Sequence, residues 1–221
     1  MNLDHLATAP FHLDAEALTW VGSTFAALSP DELMRQLFVL RGGLDDEGFK
    51  CLKDFAPGGI TAVYDHNHSR ERQHVADLVA TAKVPPLVSA DLEGSRMSLP
   101  FGAEVPNPLA LAAIDDVAAT REVSRIMAEE AVAAGINWSF TPVIDVNHAF
   151  RSAIVATRGF GSDVACIARH ALAQIDEFQK HGIAATVKHW PGEGYDDRDQ
   201  HLVTTINPLD LMAWEHVFGK L

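Results

Sequence analysis

Cysteine is scarce in this sequence. Its 221 residues include only two cysteines, Cys51 and Cys166, and neither belongs to a CxxC pair. The spacing therefore supports neither a disulfide framework nor a zinc site. Both cysteines lie in apolar, helix-like contexts, and free cysteine is among the residue types most often buried, so we expect two buried thiols.

Basic residues and long apolar runs are also few. The 17 lysines and arginines are outnumbered by 30 acidic residues, which gives a formal net charge of −13 and argues against nucleic-acid binding. No apolar run approaches the roughly 20 residues that span a bilayer. Residues 1–8 lack the basic and apolar regions of a signal peptide. These absences predict a soluble, cytoplasmic protein that binds neither nucleic acid nor membrane.

Helical and strand patterns alternate along the chain. Ser29, Pro30 and Glu32 form a helix start with a capping box, and the leucines that follow keep helical spacing to Leu40. Short apolar runs with many β-branched residues predict strands at 60–64, 87–91, 136–146 and 183–189. Further helices are predicted at 45–55, from 69, at 116–134, from 163 and at 209–218. This order predicts an α/β fold with a parallel sheet and crossover helices.

A (β/α)8 TIM-type barrel is favoured over an open doubly wound sheet. No glycine-rich phosphate turn follows the first predicted strand. Asp91, Asp145, Lys188 and His189 fall at the carboxyl ends of predicted strands, the face on which barrel enzymes build their sites. A full barrel takes about 250 residues, so residues 1–221 are expected to form one incomplete barrel domain with the first four or five βα units. The open sheet edges of such a domain need to be covered, either by further chain in a longer product or by self-association.

The sequence KHWPGEGYDDRDQH, at residues 188–201, carries the densest chemistry. A predicted strand delivers Lys188 and His189 to its carboxyl end, and a proline with two glycines then forces a loop. Asp199 stands two residues before His201, where a carboxylate can accept the ring N–H and favour an acid–base role near neutral pH. Two alternatives stay open: a solvated loop with incidental histidines, and a metal site using His189, Asp199 and His201.

Residues 188–201 resemble the KH(F/S)PGxGxxxxD(S/T)H signature of family 3 glycoside hydrolases, in the β-N-acetylglucosaminidase branch. Other parts of the family pattern follow in the same order: the first helix at 29–40, DLEGSR at 91–96, FTPVIDVN at 140–147 and RGFGSD at 158–163. The resemblance covers about residues 29–210. It implies an N-terminal (β/α) barrel that hydrolyses O-glycosidic bonds without a metal or cofactor.

The resemblance also implies residue roles. His201 is similar to the histidine acid–base catalyst of this branch, and Asp199 is similar to its partner. The implied substrate is a carbohydrate, specifically an N-acetylglucosaminide. Four positions are similar to the residues that bind the sugar: Asp91, Arg158, Lys188 and His189.

The chain departs from the family pattern in three places. Leu99 stands where the family has a second arginine, and Ser95 replaces a glycine. The family nucleophile is an aspartate well downstream of His201, where this chain offers only Asp210, at a predicted helix start, and Glu215. We therefore expect a barrel truncated relative to the family, with its nucleophile missing. A non-catalytic sugar-binding or interaction protein on the same fold is the alternative function.

Overall fold

The computed structural model describes residues 2–43, 45–64 and 68–221. Five short strands form its sheet: β1 Val39–Arg41, β2 Gly59–Thr61, β3 Leu87–Ala90, β4 Trp138–Ser139 and β5 Ala184–Ala185. The described residues also form eight α-helices: α1 Ala15–Ala27, α2 Pro30–Arg35, α3 Asp46–Phe55, α4 His68–Thr81, α5 Pro108–Ile114, α6 Val117–Ala133, α7 Val164–Lys180 and α8 Leu211–Val217. Within these ranges, every helix is too short or too polar to cross a membrane.

The strands pair in strict chain order. Each pair, from β1–β2 to β4–β5, is parallel. A doubly wound sheet would reverse its strand order at a switch point, whereas successive neighbours are the barrel arrangement. The prediction of an incomplete (β/α) barrel with up to five units is therefore confirmed. In the described ranges β1 and β5 each have a single paired neighbour, and the predicted self-association at those edges stays a prediction.

Strand β1 corrects the predicted first helix. That helix was expected to reach Leu40, but it ends at Arg35, and Val39–Arg41 instead pairs with Gly59–Thr61. The leucine spacing fits both structures over so short a run, and ladder hydrogen bonding to β2 outweighs a weak helical preference. The start was predicted correctly, since the Ser29 side chain accepts the Glu32 N–H and the Glu32 carboxylate accepts the Ser29 N–H.

Aspartate side chains cap the N-termini of three other helices. Asp45, Asp116 and Asp163 each accept a backbone N–H in the first turn of α3, α6 and α7. The segment before residue 108 was predicted as a loop and is one. The short helix α5 beyond it was not predicted, although Asn107 caps it and Pro108 occupies its first position.

The core lies between the sheet and its helices. Val88, Ile136 and Phe178 are almost fully buried there. Leu99 joins this cluster with 7% exposure, so the position where the family has an arginine packs into the core. The prediction of two buried thiols is wrong. Cys51 is exposed and Cys166 is half-buried.

Candidate functional site

Lys188 bridges two acids at the carboxyl ends of the strands. It lies three residues after β5, and its Nζ is 2.6 Å from Asp91 Oδ1 and 2.6 Å from Glu93 Oε1. Asp91 directly follows β3, and Glu93 lies two residues further on. Parallel strands end at the same edge, so residues almost 100 positions apart meet here. The side chain of Asp91 stays 38% exposed, which leaves carboxylate oxygen available to a ligand.

Arg158 holds the other side of Glu93. Its Nε and Nη2 each lie 2.8 Å from a Glu93 oxygen, a bidentate pair. Glu93 is almost fully buried. Burial acts to raise the pKa of Glu93, but the hydrogen bonds from Arg158 and Lys188 outweigh it and hold that pKa below its usual range. The carboxylate therefore stays ionised and fixes both cations in place.

His189 is oriented by a buried acid. Its Nδ1 lies 2.6 Å from Asp145 Oδ2, while Asp145 Oδ1 accepts the backbone N–H of His189 and of Glu193, at 3.2 and 2.8 Å. Asp145 is 1% exposed, so it cannot itself contact a sugar. Its role is to fix the ring of His189 and the start of the following loop.

The loop after β5 brings a further acid to this edge. Glu193 receives both hydrogen bonds of the Gln200 amide, at 2.8 and 3.0 Å. Burial raises the pKa of Glu193; nearby His189 acts to lower it, and the negative charge of Asp145 adds to the rise. A carboxyl group whose pKa is raised therefore lies beside the strand-end site.

Asp199 and His201 form the pair expected from their spacing. Asp199 Oδ1 lies 2.7 Å from His201 Nδ1 and accepts the His201 backbone N–H at 2.8 Å. These backbone and side-chain hydrogen bonds lower the pKa of Asp199, which keeps it ionised. The side chain of His201 is 71% exposed, so its ring faces solvent rather than protein.

The six predicted site residues fall into two groups. Asp91, Arg158 and Lys188 meet at the strand ends around Glu93. His189 follows Lys188 in sequence and is held by Asp145. Within residues 68–221, no hydrogen bond or ion pair joins the Asp199–His201 pair to that group. The nearest connection is Gln200, which lies between them in sequence and donates to Glu193. That the pair and the four residues act on one sugar ring stays a prediction.

Sequence patterns did not single out Glu93, Glu193 or Gln200. Glu93 stood within the DLEGSR segment, but only the meeting of two cations from distant strands identifies its role. The structure also bears on the metal alternative: among the described side chains, His189 shares its ligand-spaced cluster with Asp145 and Glu193, and not with His201.

Two clefts share residues with this region. One of about 300 Å³ is lined by loop residues that include Glu193, Gln200 and Trp190. Another of about 270 Å³ is lined by Glu93, Arg96 and Arg158. Volumes near 300 Å³ lie at the lower end of the range for small-molecule sites, so each could hold about one sugar ring.

Gly194 sets the path of the loop and provides a test of it. Its φ is +102°, and a Cβ there would lie 2.3 Å from the Val146 carbonyl oxygen. We expect Gly194→Ala to lower the free energy of unfolding by about 2–5 kcal/mol, from backbone strain plus the clash. Gly182→Ala is the matched control, because its φ of +76° carries the strain but a Cβ there meets nothing within 4 Å.

Urea unfolding of both variants separates the cost of backbone strain from the cost of the clash with Val146. Gly182→Ala should cost only about 1–2 kcal/mol. Equal losses in the two variants would mean that the loop yields around Gly194 and that Val146 does not fix it.

Comparison with known proteins agrees with this architecture. A beta-N-acetylglucosaminidase/beta-glucosidase of Cellulomonas fimi is 36% identical over 217 residues, 97% of this chain and 38% of that protein. The structure of a beta-glucoside phosphorylase, BglX bound to 2FGlc, superposes with a TM-score of 0.89 at 32% identity, covering 100% of this chain and 40% of the other. NagZ from Neisseria gonorrhoeae, in complex with N-trifluoroacetyl-D-glucosamine, superposes with a TM-score of 0.74 at 28% identity, over 83% of this chain and 58% of that one.

The chain thus spans well under two thirds of each of these relatives. The family model described as the glycosyl hydrolase family 3 N terminal domain matches residues 30–218 of the sequence. That match takes in all five strands and the whole loop from Lys188 to His201. The chain belongs to glycosyl hydrolase family 3, in its N terminal domain.

Proposed function

We propose that the protein cleaves β-glycosidic bonds of N-acetylglucosaminides, with His201 as acid–base catalyst and Asp199 as its partner. The observation that carries this proposal is the strand-end network, in which Lys188 and Arg158 converge on Glu93 beside a solvent-accessible Asp91. Charged groups that are already fixed in place suit the hydroxyl-rich face of a sugar. The names of the Cellulomonas and Neisseria relatives support the choice of sugar.

Each part of the site has a distinct task in this chemistry. Asp91, Lys188 and His189 hold the sugar, while Glu93 and Asp145 keep the cationic and imidazole groups in place. His201 donates a proton to the leaving oxygen. A retaining mechanism also needs a carboxylate nucleophile. We assign that role to neither Asp210, which caps α8 by accepting the Ala213 N–H, nor exposed Glu215.

Asp91→Asn tests the sugar-binding half of the proposal. Loss of a charged acceptor should weaken N-acetylglucosaminide affinity about 10- to 100-fold, the effect typical of a hydrogen bond to a charged group. Calorimetry or the KM for nitrophenol release from a nitrophenyl N-acetyl-β-glucosaminide measures it. Asp31→Asn, an exposed acid in α2, is the control and should leave affinity unchanged.

The result also separates the two functional classes. Sugar binding without any nitrophenol release would favour a non-catalytic sugar-binding protein. Unchanged affinity in a folded Asp91→Asn variant would remove the strand-end network as the sugar site.

Transfer to inorganic phosphate is a second candidate reaction. The phosphorylase relative supports it, and so does the nature of the acid–base group. A carboxylate in that role would repel an incoming phosphate, whereas an imidazole carries no negative charge. Products formed with and without phosphate distinguish the reactions: a sugar 1-phosphate indicates phosphorolysis, and free sugar alone indicates hydrolysis. A cytoplasmic location stays a prediction.

A further inference from the structure

A second cluster of chemically active side chains lies away from the strand ends, where α5, α6 and α7 meet. Asp115 ends α5, and Cys166 and His170 occupy successive turns of α7. We propose that these three residues form a binding site for a transition-metal ion of the Zn²⁺ class. This inference is independent of the glycosidase proposal.

The ligand atoms are already close to coordination spacing. One atom from each side chain lies within 4.8 Å of the other two, and His170 Nε2 is 3.7 Å from Asp115 Oδ1. A tetrahedral ion with ligand bonds of roughly 2.0–2.3 Å places its donors about 3.3–3.8 Å apart. The histidine–aspartate separation fits that value already. The remaining distances need to contract by only about 1 Å, which rotation of the half-buried Cys166 side chain can supply.

His170 provides the independent observation that points to a ligand. It is fully buried, and its Nε2 is a buried nitrogen without a hydrogen-bond partner. Its other nitrogen, Nδ1, lies 2.7 Å from Thr120 Oγ1. If Nδ1–H donates to Thr120, then Nε2 presents a bare lone pair towards the Asp115 carboxylate. In that state Nε2 has no donor, and a cation between it and Asp115 would satisfy it.

The opposite tautomer does not satisfy the site either. With the proton on Nε2, the N–H would face Asp115 across 3.7 Å, which is too long for a hydrogen bond. Thr120 therefore acts as the outer partner that fixes a metal-ligating histidine, an arrangement common in metal sites.

The donor set selects the metal class. A thiolate, an imidazole and a carboxylate together suit Zn²⁺ and related transition metals, while Mg²⁺ and Ca²⁺ prefer oxygen alone. Asp115 is 64% exposed, so water can complete the coordination. Arg169 donates to Asp115 at 2.9 Å and would have to share or release that carboxylate when metal binds.

Cobalt substitution tests the site through a signal that other histidine clusters cannot give. A Co²⁺–thiolate bond produces a charge-transfer band in the near ultraviolet, and the chain has only two cysteines. We expect the band in the wild type at one Co²⁺ per chain, its retention in Cys51→Ser, and its loss in Cys166→Ser. Zn²⁺ should displace the Co²⁺ and raise the Tm of the wild type and Cys51→Ser, but not that of Cys166→Ser.

Asp115→Asn gives a second variant at an exposed position, where folding is not at risk. Its affinity for Co²⁺ should fall at least about 10-fold, the loss seen even for outer-sphere partners of a metal. Absence of the thiolate band in the wild type would overturn the proposal. So would its survival in Cys166→Ser, or Co²⁺ binding without the band, which would place the ion away from Cys166.

Discussion

Replacing His201 by alanine is expected to lower kcat for N-acetylglucosaminide cleavage by about 10²- to 10⁴-fold, the range typical for loss of a general acid–base group. The Asp199 carboxylate holds the His201 ring through Nδ1 at 2.7 Å, which directs the other ring nitrogen outward. A ring fixed by one nitrogen can pass a proton through the other. The side chain is 71% exposed, so its removal should leave the fold intact.

Leaving-group dependence makes this test specific to proton transfer. A dinitrophenyl glycoside expels a weakly basic leaving group that needs little protonation. His201→Ala should therefore lose much less activity on that substrate than on an unactivated oligosaccharide. His5→Ala, an exposed histidine in the N-terminal 3₁₀ turn, should leave both rates unchanged. Equal losses on the two substrates would argue that His201 positions the sugar instead of donating a proton.

Glu193 is the competing proton donor. Its pKa is raised, chiefly by burial, and it lies in the same loop as His201. Under our proposal, Glu193→Gln keeps the leaving-group dependence of the wild type, because Gln200 can still hydrogen-bond the amide. If Glu193→Gln loses activity selectively on the unactivated substrate while His201→Ala does not, the acid–base role belongs to Glu193.

Much of the fold could be predicted because its signals are local. The Ser29 capping box and the aspartate caps of α3, α6 and α7 depend on residues within one helical turn. β1 could not be separated from the preceding helix, because three residues of strand carry almost no periodicity. Its identity comes from pairing with β2, a contact outside the reach of a local pattern.

The candidate site also contains residues that a local pattern identifies and residues that only long-range contacts identify. One continuous motif predicted four of the site residues: Lys188, His189, Asp199 and His201. Glu93 was not singled out, since its importance arises only when Arg158 and Lys188 arrive from segments 65 and 95 residues away in sequence. The cysteines were misjudged for a related reason: the exposed side of a helix depends on what packs against it. The Asp115–Cys166–His170 cluster was not predicted, because Asp115 at the end of α5 meets the two α7 residues only through helix packing.

Glu93→Ala is expected to destabilise the fold by about 3–5 kcal/mol, the cost of breaking a buried ion pair by removing one partner. The Glu93 carboxylate lies 2.6 Å from Lys188 Nζ and 2.8 Å from both Nε and Nη2 of Arg158. The two cations keep side-chain exposures of only 13% and 18%. Without Glu93 they lose their shared counter-charge while remaining largely shielded from water. Urea unfolding at neutral pH measures the loss.

Two comparisons decide whether burial sets the size of that effect. Glu129→Ala removes an exposed partner of Arg125 and should cost at most about 1 kcal/mol.

The pKa of Glu93 is lowered in the folded state, so the contribution of Glu93 to stability is fully present above the ordinary glutamate range and is lost as pH falls through the lowered value. The difference between wild type and Glu93→Ala should therefore narrow in acid. A difference that stays constant with pH would mean that Glu93 stabilises the fold by packing rather than by charge.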